Sequence, residues 1–404
     1  MVDFQGLKVN HFGPIKSTGK DYLEFKRFTV FIGDQGTGKS TLVKLFSTLT
    51  WLEKAIIAKR VYTVKLSVAN IKKLFAQQNI PDKYFVENTK ILYRSSFIDI
   101  DITYNSVSIK QKVLSSEIYT CPRIQYIPSE RNLLSISSSL DKISGIPFML
   151  SQFNSEFLDA KRKLKSIDFQ HFVFEYDKTN DMNYVAIKRL KAKVKLEQAS
   201  SGIQSIYPLL FVSRYMSKSL KESIFVKMRE TDNSRRQRII NEIDNEEEKN
   251  ILINYFSSGI EIKLKKLDEK LYREKYRSIV NSCFIEIIEE PEQNLFPISQ
   301  VELLKNVLID TNGKNDKLVI TTHSPYVLSQ LNNHVFAKKR NDEIGKVIKE
   351  IPMDLYIDYN DVAAYKIENG HTKSIMDKEY GGIDVLEIDE CSQNINRVFD
   401  KLYE

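Results

Sequence analysis

The sequence predicts an α/β fold with a mixed sheet, and three stretches predict it. Gly33 to Ser40, GDQGTGKS, fits the phosphate-binding pattern G-x-x-x-x-G-K-[S/T] at every fixed position, with an apolar run before it (Phe28 to Ile32) and a helical pattern from Thr41 after it. Cys283 to Ile288 and Lys317 to Thr322 are apolar strand-like runs separated by a helical stretch, Ser299 to Asp310, which is the spacing of a parallel βαβ unit. Ile98-Asp99-Ile100-Asp101-Ile102 alternates, as an antiparallel strand with one wet face does.

Taken in order, Leu7 to Phe12 reads as a strand, Gly13-Pro14 as a turn and Tyr22 to Phe25 as a second strand leading to the glycine-rich loop. A long helical pattern covers Trp51 to Ala76, and strand-like pieces follow at Thr89 to Tyr93, Phe97 to Tyr104 and Ser106 to Leu114. Arg123 to Pro128 reads as a core strand ended by its proline, with helix from there to Lys165. Phe172 to Tyr176 and Tyr184 to Lys188 form a strand pair around a turn-rich Asp177 to Asn183. From about Leu209 to Ser278 the chain reads as a charged helical arm, with Ser234 to Arg238 basic and Asp244 to Glu248 acidic; its bland reading is a solvated face, its sharper one a docking surface. Ala363 to Ile367 reads as a strand and Asn394 to Tyr403 as a terminal helix.

Composition bounds the class. The 404 residues are 42% hydrophobic, enough for a sizeable core, and contain no apolar run long enough to span a membrane. MVDFQGLKVN lacks the layout of a secretory signal, and Cys121, Cys283 and Cys391 are too scattered for a disulfide framework, so the expectation is a cytoplasmic protein with no membrane partner. A formal charge of +7 permits a nucleic-acid partner without demanding one.

The phosphate loop, Gly33, Asp34, Gln35, Gly36, Thr37, Gly38, Lys39, Ser40 and Thr41, sets backbone N–H groups and a helix N-terminus against phosphate oxygens. Lys39 would reach the β- and γ-phosphates of ATP, and Ser40 would hold Mg2+. Glu289 and Glu290 end an apolar strand, where one carboxylate can bind magnesium and the next can orient an attacking water. His323, at the end of the next strand in Thr321 to Pro325, is placed to bond a γ-phosphate or steady that water.

With Ser200-Ser201-Gly202-Ile203-Gln204 added, the ordered set GDQGTGKS, SSGIQ, IIEEPEQNLFP and TTHSP resembles ATPases with the ABC-type head, in the branch of SMC, RecF and overcoming-lysogenization-defect (OLD) proteins. The resemblance implies a P-loop ATPase lobe plus a helical lobe with a charged helical insertion. Its divisions here are 1–128, the first half of the ATPase lobe; 129–208, the helical lobe with the signature; 209–278, the insertion; 279–340, the second half of the lobe; and 341–404, a completing tail. It further implies a homodimer or higher homo-oligomer of heads that sandwiches ATP, with Ser201, Gly202 and Gln204 of one copy at the nucleotide of the other. Glu290 and His323 would be catalytic, Ser40 and Glu289 would hold the metal, Asn294 and Leu295 would touch across the dimer, and Gln125 would be a glutamine-loop candidate, with Arg131 a further site candidate; either of these last two could equally be core or surface.

Four residues depart from the family pattern: Glu289 stands where Asp is usual, Ile203 replaces the second signature glycine, Pro208 should delay or kink the signature helix, and Phe296 occupies a position often held by His. The tail carries Asp384, Glu387, Asp389 and Glu390 without the strand-end pattern of the nuclease domain that OLD proteins add, so no nuclease is expected here. The function implied is Mg-dependent ATP hydrolysis driving head closure that controls a separately encoded effector, such as a nuclease, as in the antiphage systems Septu and PARIS. Two alternatives stay open, a RecF-like DNA-repair ATPase and an ATP-locked scaffold with little turnover.

Overall fold

The structure, a computed structural model, describes residues 4–58, 66–112, 119–136, 145–190, 192–259, 261, 264–384, 397, 400 and 401. The chain opens with β1 (Gln5–Phe12), β2 (Ile15–Ser17), β3 (Leu23–Glu24) and β4 (Phe28–Gly33), which runs into α1 (Lys39–Ile57). Then come α2 (Val68–Gln77), a meander of β5 (Phe85–Ser95), β6 (Ile98–Thr103) and β7 (Val107–Gln111), and β8 (Pro122–Ile127). The middle holds α3 (Leu133–Ile136), α4 (Phe148–Leu164), β9 (Ser166–Phe169), β10 (Phe172–Asp177), β11 (Met182–Ile187), β12 (Ala192–Lys195) and α5 (Ser201–Lys221). Four helices follow, α6 (Ile224–Glu230), α7 (Asn233–Asn241), α8 (Glu246–Ser258) and α9 (Glu269–Lys275). The chain then returns to the sheet with β13 (Cys283–Glu289), α10 (Pro297–Asp310), β14 (Lys317–Thr322), α11 (Pro325–Ile344), β15 (Val362–Glu368) and β16 (His371–Ser374).

One mixed sheet dominates, in the order β7-β6-β5-β1-β2-β16-β15-β4-β14-β13-β8, with β3 on β1. Five strands, β15, β4, β14, β13 and β8, are parallel, and β1, β5, β6 and β7 are antiparallel. The alternation at Ile98, Ile100 and Ile102 is expressed as three fully buried residues with half-buried acids between them. One sheet face packs on α1 and α2 through Leu42, Phe46, Leu49 and Phe75, while the other packs on α5, α10 and α11 through Leu210, Leu304 and Leu328. No helix among the described residues is long and apolar enough to cross a membrane.

Several expectations shift. The helical pattern from Trp51 to Ala76 divides into the second half of α1, residues 59–65 outside the described set, and α2. The expected pair at 172–188 is the centre of a four-stranded antiparallel sheet, β12-β11-β10-β9, whose outer strands, four residues each, are too short to read from sequence. The division expected at 208/209 falls inside α5, because Leu209, Leu210, Phe211 and Val212 are all fully buried and continue the helix across the core. The charged helices that follow are a compact module, α6 to α9, with its own apolar cluster around Met228, Leu252 and Tyr276. The terminal helix expected at 394–403, apart from residues 397, 400 and 401, and the acids Glu387, Asp389 and Glu390 lie outside the described residues.

α5 runs unbroken from Ser201 to Lys221, with no delay at Pro208. Lacking an N–H, Pro208 leaves the carbonyl of Gln204 without its helical partner, and the Ser135 hydroxyl donates to that oxygen at 2.6 Å. A second buried polar knot fixes the far end of α1. Tyr93 and Ser95 hydroxyls donate to Glu53 at 2.5 and 2.8 Å, and Lys317 donates to Gln5 Oε1 at 2.8 Å, so α1, β5, β1 and β14 are joined through their side chains.

Glu286, in the middle of β13, is wholly buried against α5 and accepts from the Ser213 hydroxyl at 3.2 Å. Burial first, then the charge of Asp310, pushes its carboxyl well above the ordinary range. The folded chain therefore keeps a proton that the unfolded chain releases, so stability is full at acid pH and declines as pH rises through the elevated value. Glu286→Gln, which keeps the shape and the Ser213 contact, is expected to match the parent at about pH 5 and exceed it at alkaline pH, a tenfold difference in proton affinity between the folded and unfolded chain being worth about 1.4 kcal/mol. Urea unfolding at the two pH values checks this, and a difference that does not grow with pH contradicts it.

Candidate nucleotide site

The parallel strands bring the separated motifs to one edge. Register pairs Glu289 with Thr321 and Thr321 with Phe31, so β13, β14 and β4 end side by side, and their carboxyl ends open into the acidic turn, the histidine turn and the phosphate loop.

The loop from Gly33 to Gly38 curls through left-handed backbone at Gly36 (φ 74°) and Gly38 (φ 106°), which lets α1 start with its N–H groups facing outward. A side chain at Gly33 would collide with the Ile367 carbonyl of β15. Asp34, Gln35 and Gly36 are exposed, Thr37 and Ser40 half-buried, and Thr41 buried. Thr37 donates its hydroxyl to the Asp34 carbonyl at 2.8 Å. Lys39 folds back, donating to the carbonyls of Gly33 at 2.7 Å and Asp34 at 2.9 Å. Burial pulls its ammonium below the ordinary lysine range, opposed by the charges of Glu290, Glu292, Asp34 and Glu289.

Glu289 closes β13 with its side chain buried on the α1 side of the sheet. Its carboxylate faces the buried Tyr126 hydroxyl, while the Thr321 Oγ1 on the adjoining strand is buried with no hydrogen-bond partner. A buried carboxylate and an orphaned hydroxyl near the N-terminus of α1 suit a hard divalent cation, which takes oxygen ligands and keeps water and phosphate in its shell. Among the described residues no three His, Cys, Asp or Glu side chains are set to hold a metal ion together, so such an ion would rest on Ser40, the one carboxylate of Glu289 and its substrate.

Glu290 takes up left-handed backbone, φ 44°, which costs a non-glycine residue unless its surroundings impose it. Here they do. Its N–H donates to the Thr321 carbonyl at 2.8 Å, and its own carbonyl accepts from Arg131 Nη2 at 2.7 Å. The turn swings the carboxylate toward β14, where Oε1 lies 3.4 Å from His323 Nε2. Glu292 then accepts the His323 backbone N–H at 2.6 Å, while Gln300 donates to the Leu295 carbonyl at 2.9 Å and accepts the Ser324 hydroxyl at 2.6 Å. Gln300 lies outside the motifs, and Glu292 and Thr321 lie within them without a part assigned by sequence. Glu292 stands in plain sight in Glu289-Glu290-Pro291-Glu292, but only the strand register shows what it faces.

Arg131 is the second residue whose part emerges from geometry. It is completely buried beneath the acidic turn, with Nη1 donating to the Glu289 carbonyl at 2.7 Å and Nη2 to that of Glu290. Burial brings its pKa down to about 10 despite four surrounding carboxylates. Gln125 is not brought to the site: it pairs with Glu286 inside β8, three register positions short of Glu289, and donates to the Tyr126 carbonyl at 3.0 Å.

Ser201, Gly202 and Gln204 lie at the start of α5. Ser201 is exposed; Gly202 packs so tightly on the acidic turn that a Cβ would lie 2.6 Å from the Asn294 carbonyl. Gln204 is buried and spends its amide on the carbonyls of Leu196 and Glu197 at 3.4 and 3.1 Å, so its side chain faces its own chain.

Comparison with known proteins leaves the family open: no family model matches, and no curated protein matches. Solved structures of similar fold include an SMC head bound to the C-terminal winged-helix domain of ScpA, at 11% identity over 92% of this chain and 96% of that one with a TM-score of 0.39. The SMC head domain from Thermotoga maritima follows at 9% identity, 93% and 98% coverage and a TM-score of 0.36. An SMC head from Pyrococcus furiosus, with an extended coiled coil and bound to a ScpA domain, shows 12%, 97% and 99%, and 0.32. Values this low leave the chemistry to rest on the chain's own residues.

Arg131→Met leaves the Glu289 carbonyl unpaired inside the protein, a buried orphan costing about 1–3 kcal/mol, and strips the Glu290 carbonyl of its charge-assisted donor, with only the Gln293 N–H at 3.1 Å remaining. A loss of at least about 2 kcal/mol in urea unfolding is expected, whereas an unchanged midpoint would show that water or a neighbour serves those carbonyls equally well.

Proposed function

We propose that this chain is a magnesium-dependent ATPase whose nucleotide lies along Gly33 to Thr41. The observation that supports it most is the meeting, at the carboxyl ends of the parallel strands, of a helix-capping phosphate loop, a buried acid beside an orphaned threonine hydroxyl, and a carboxylate–imidazole pair. Lys39 exchanges the Gly33 and Asp34 carbonyls for β- and γ-phosphate oxygens, which the outward N–H groups of the loop also receive. Magnesium, when bound, neutralises charge on the phosphates, with Ser40 and Glu289 as its protein ligands. Glu290 orients the attacking water in line with the γ-phosphate, and His323 holds Glu290 and the leaving edge of the site in register.

A second copy completes the site in this reading, bringing Ser201 and Gly202 against the γ-phosphate. Phe296 and Ile298, 75% and 64% exposed just beyond Asn294 and Leu295, supply apolar surface for that contact. Gln204 acts in its own chain, setting the start of α5. Closure of two copies would then drive a separately encoded effector; the assignment to antiphage defence rests on the motif resemblance.

Glu290→Gln is expected to keep ATP binding, lose about 10²–10³-fold in phosphate release, and trap an ATP-dependent dimer, whereas Lys39→Ala loses binding itself. Phosphate release and solution mass with and without Mg-ATP read both outcomes. Parent-like turnover in Glu290→Gln removes the role given to that carboxylate.

A further inference from the structure

At the opposite end of α1 from the phosphate loop lies a cleft of about 410 Å³, walled by α1, the start of β8, the end of α5, and α6 to α7. Its volume falls within the range of small-molecule sites. It lies about 18 Å down α1 from Lys39, Trp51 being twelve residues along at 1.5 Å each, so it is separate from the site above.

Four cations line it: Lys54, Arg123, Lys227 and Arg235. The last two are unusual, being only 7% and 8% exposed. Lys227 donates to the carbonyls of Leu220 at 3.1 Å and Asn281 at 3.3 Å, and no carboxylate lies within ion-pair distance of it among the described residues. Three acids line it as well: Glu156 is engaged by Arg123 at 3.1 Å, Glu230 by Lys163, which is not part of the cleft, at 4.0 Å, and Asp232 by Arg235 at 3.5 Å while it also caps α7, so the lining keeps one positive charge in excess. Burying an ammonium against neutral carbonyls is costly, and an anion in the cleft would offset it. Burial lowers the Lys227 pKa to about 8, which leaves it mostly charged at neutral pH. On the rim stands Trp51, the only tryptophan of the chain and 42% exposed, a flat face of the kind on which bases stack.

We propose that this cleft is a second nucleotide site, which takes a mononucleotide with its phosphate between Lys227 and Arg235 and its base against Trp51. Its occupant would tie the α6 to α9 module to the helix that begins at the phosphate loop.

The single tryptophan makes the test direct. In the full chain carrying Lys39→Ala, so that the first site is disabled, AMP and inorganic pyrophosphate are titrated while Trp51 emission is followed. AMP is expected to shift the emission saturably, and Lys227→Met to weaken it at least about tenfold, the loss of one charge-assisted contact. Pyrophosphate is expected to bind more weakly and to leave Trp51 emission nearly unchanged. No saturable response to AMP, or equal affinity in Lys227→Met, overturns the site, and pyrophosphate binding as tightly as AMP overturns the base contact. Should Lys227→Met melt early, Trp51→Leu read by calorimetry decides the matter: AMP affinity unchanged in that variant overturns the stacking, and a severalfold loss supports it.

Discussion

The buried guanidinium of Arg131 is the contact on which the site depends. A strand that ends in two acids would ordinarily run on into solvent, with its carbonyls hydrated and its carboxylates apart. Here one planar fork fills the carbonyls of Glu289 and Glu290 together, and that bidentate grip makes the left-handed turn at Glu290 tolerable. Three consequences follow from that turn. Glu289 stays on the α1 side of the sheet, Glu290 crosses toward His323, and Glu292 comes round to meet the His323 N–H. A lysine could not do this, since its ammonium is a point charge without the two parallel donors.

The start of α5 leans on the same turn. Gly202 meets the Asn294 carbonyl at a distance no side chain permits, and Gln204 and Ser135 fasten the helix just where Pro208 would loosen it. The residues that the motif resemblance sends to a partner's nucleotide are thus held, in cis, against the turn carrying the proposed catalytic carboxylate. Movement of α5 and movement of that turn are steric partners, so a copy that pressed on Ser201 would press on Asn294 and Leu295 as well.

What could be read in advance followed from local chemistry. The phosphate loop is a motif whose glycines have individual steric reasons, and β4, β13 and β14 are apolar runs bounded by turn residues, so neighbouring residues alone define them. Pro208 misled because its effect depends on Ser135, far away along the chain. Gln125 misled because a position near a strand end says nothing of register, and pairing with Glu286 puts it deep in the sheet. The α6 to α9 module looked like solvated charge because its buried residues, such as Ile239, Leu252 and Tyr276, are spread thinly among lysines and glutamates and meet only in three dimensions. β2 and β16, which join the two halves of the sheet, are three and four residues long and carry no pattern of their own.

The substitution of Glu for the usual Asp at position 289 has a physical counterpart in this structure. The extra methylene carries the carboxylate farther from β13, and on the neighbouring strand the Thr321 hydroxyl stands unpaired at the same register level. In the proposed ATPase the two would flank a magnesium ion that keeps part of its bound water, since magnesium gives up its hydration reluctantly. The longer arm would then change which atoms share the ion's shell more than whether an ion can be held, and would bring the Thr321 hydroxyl into the same site.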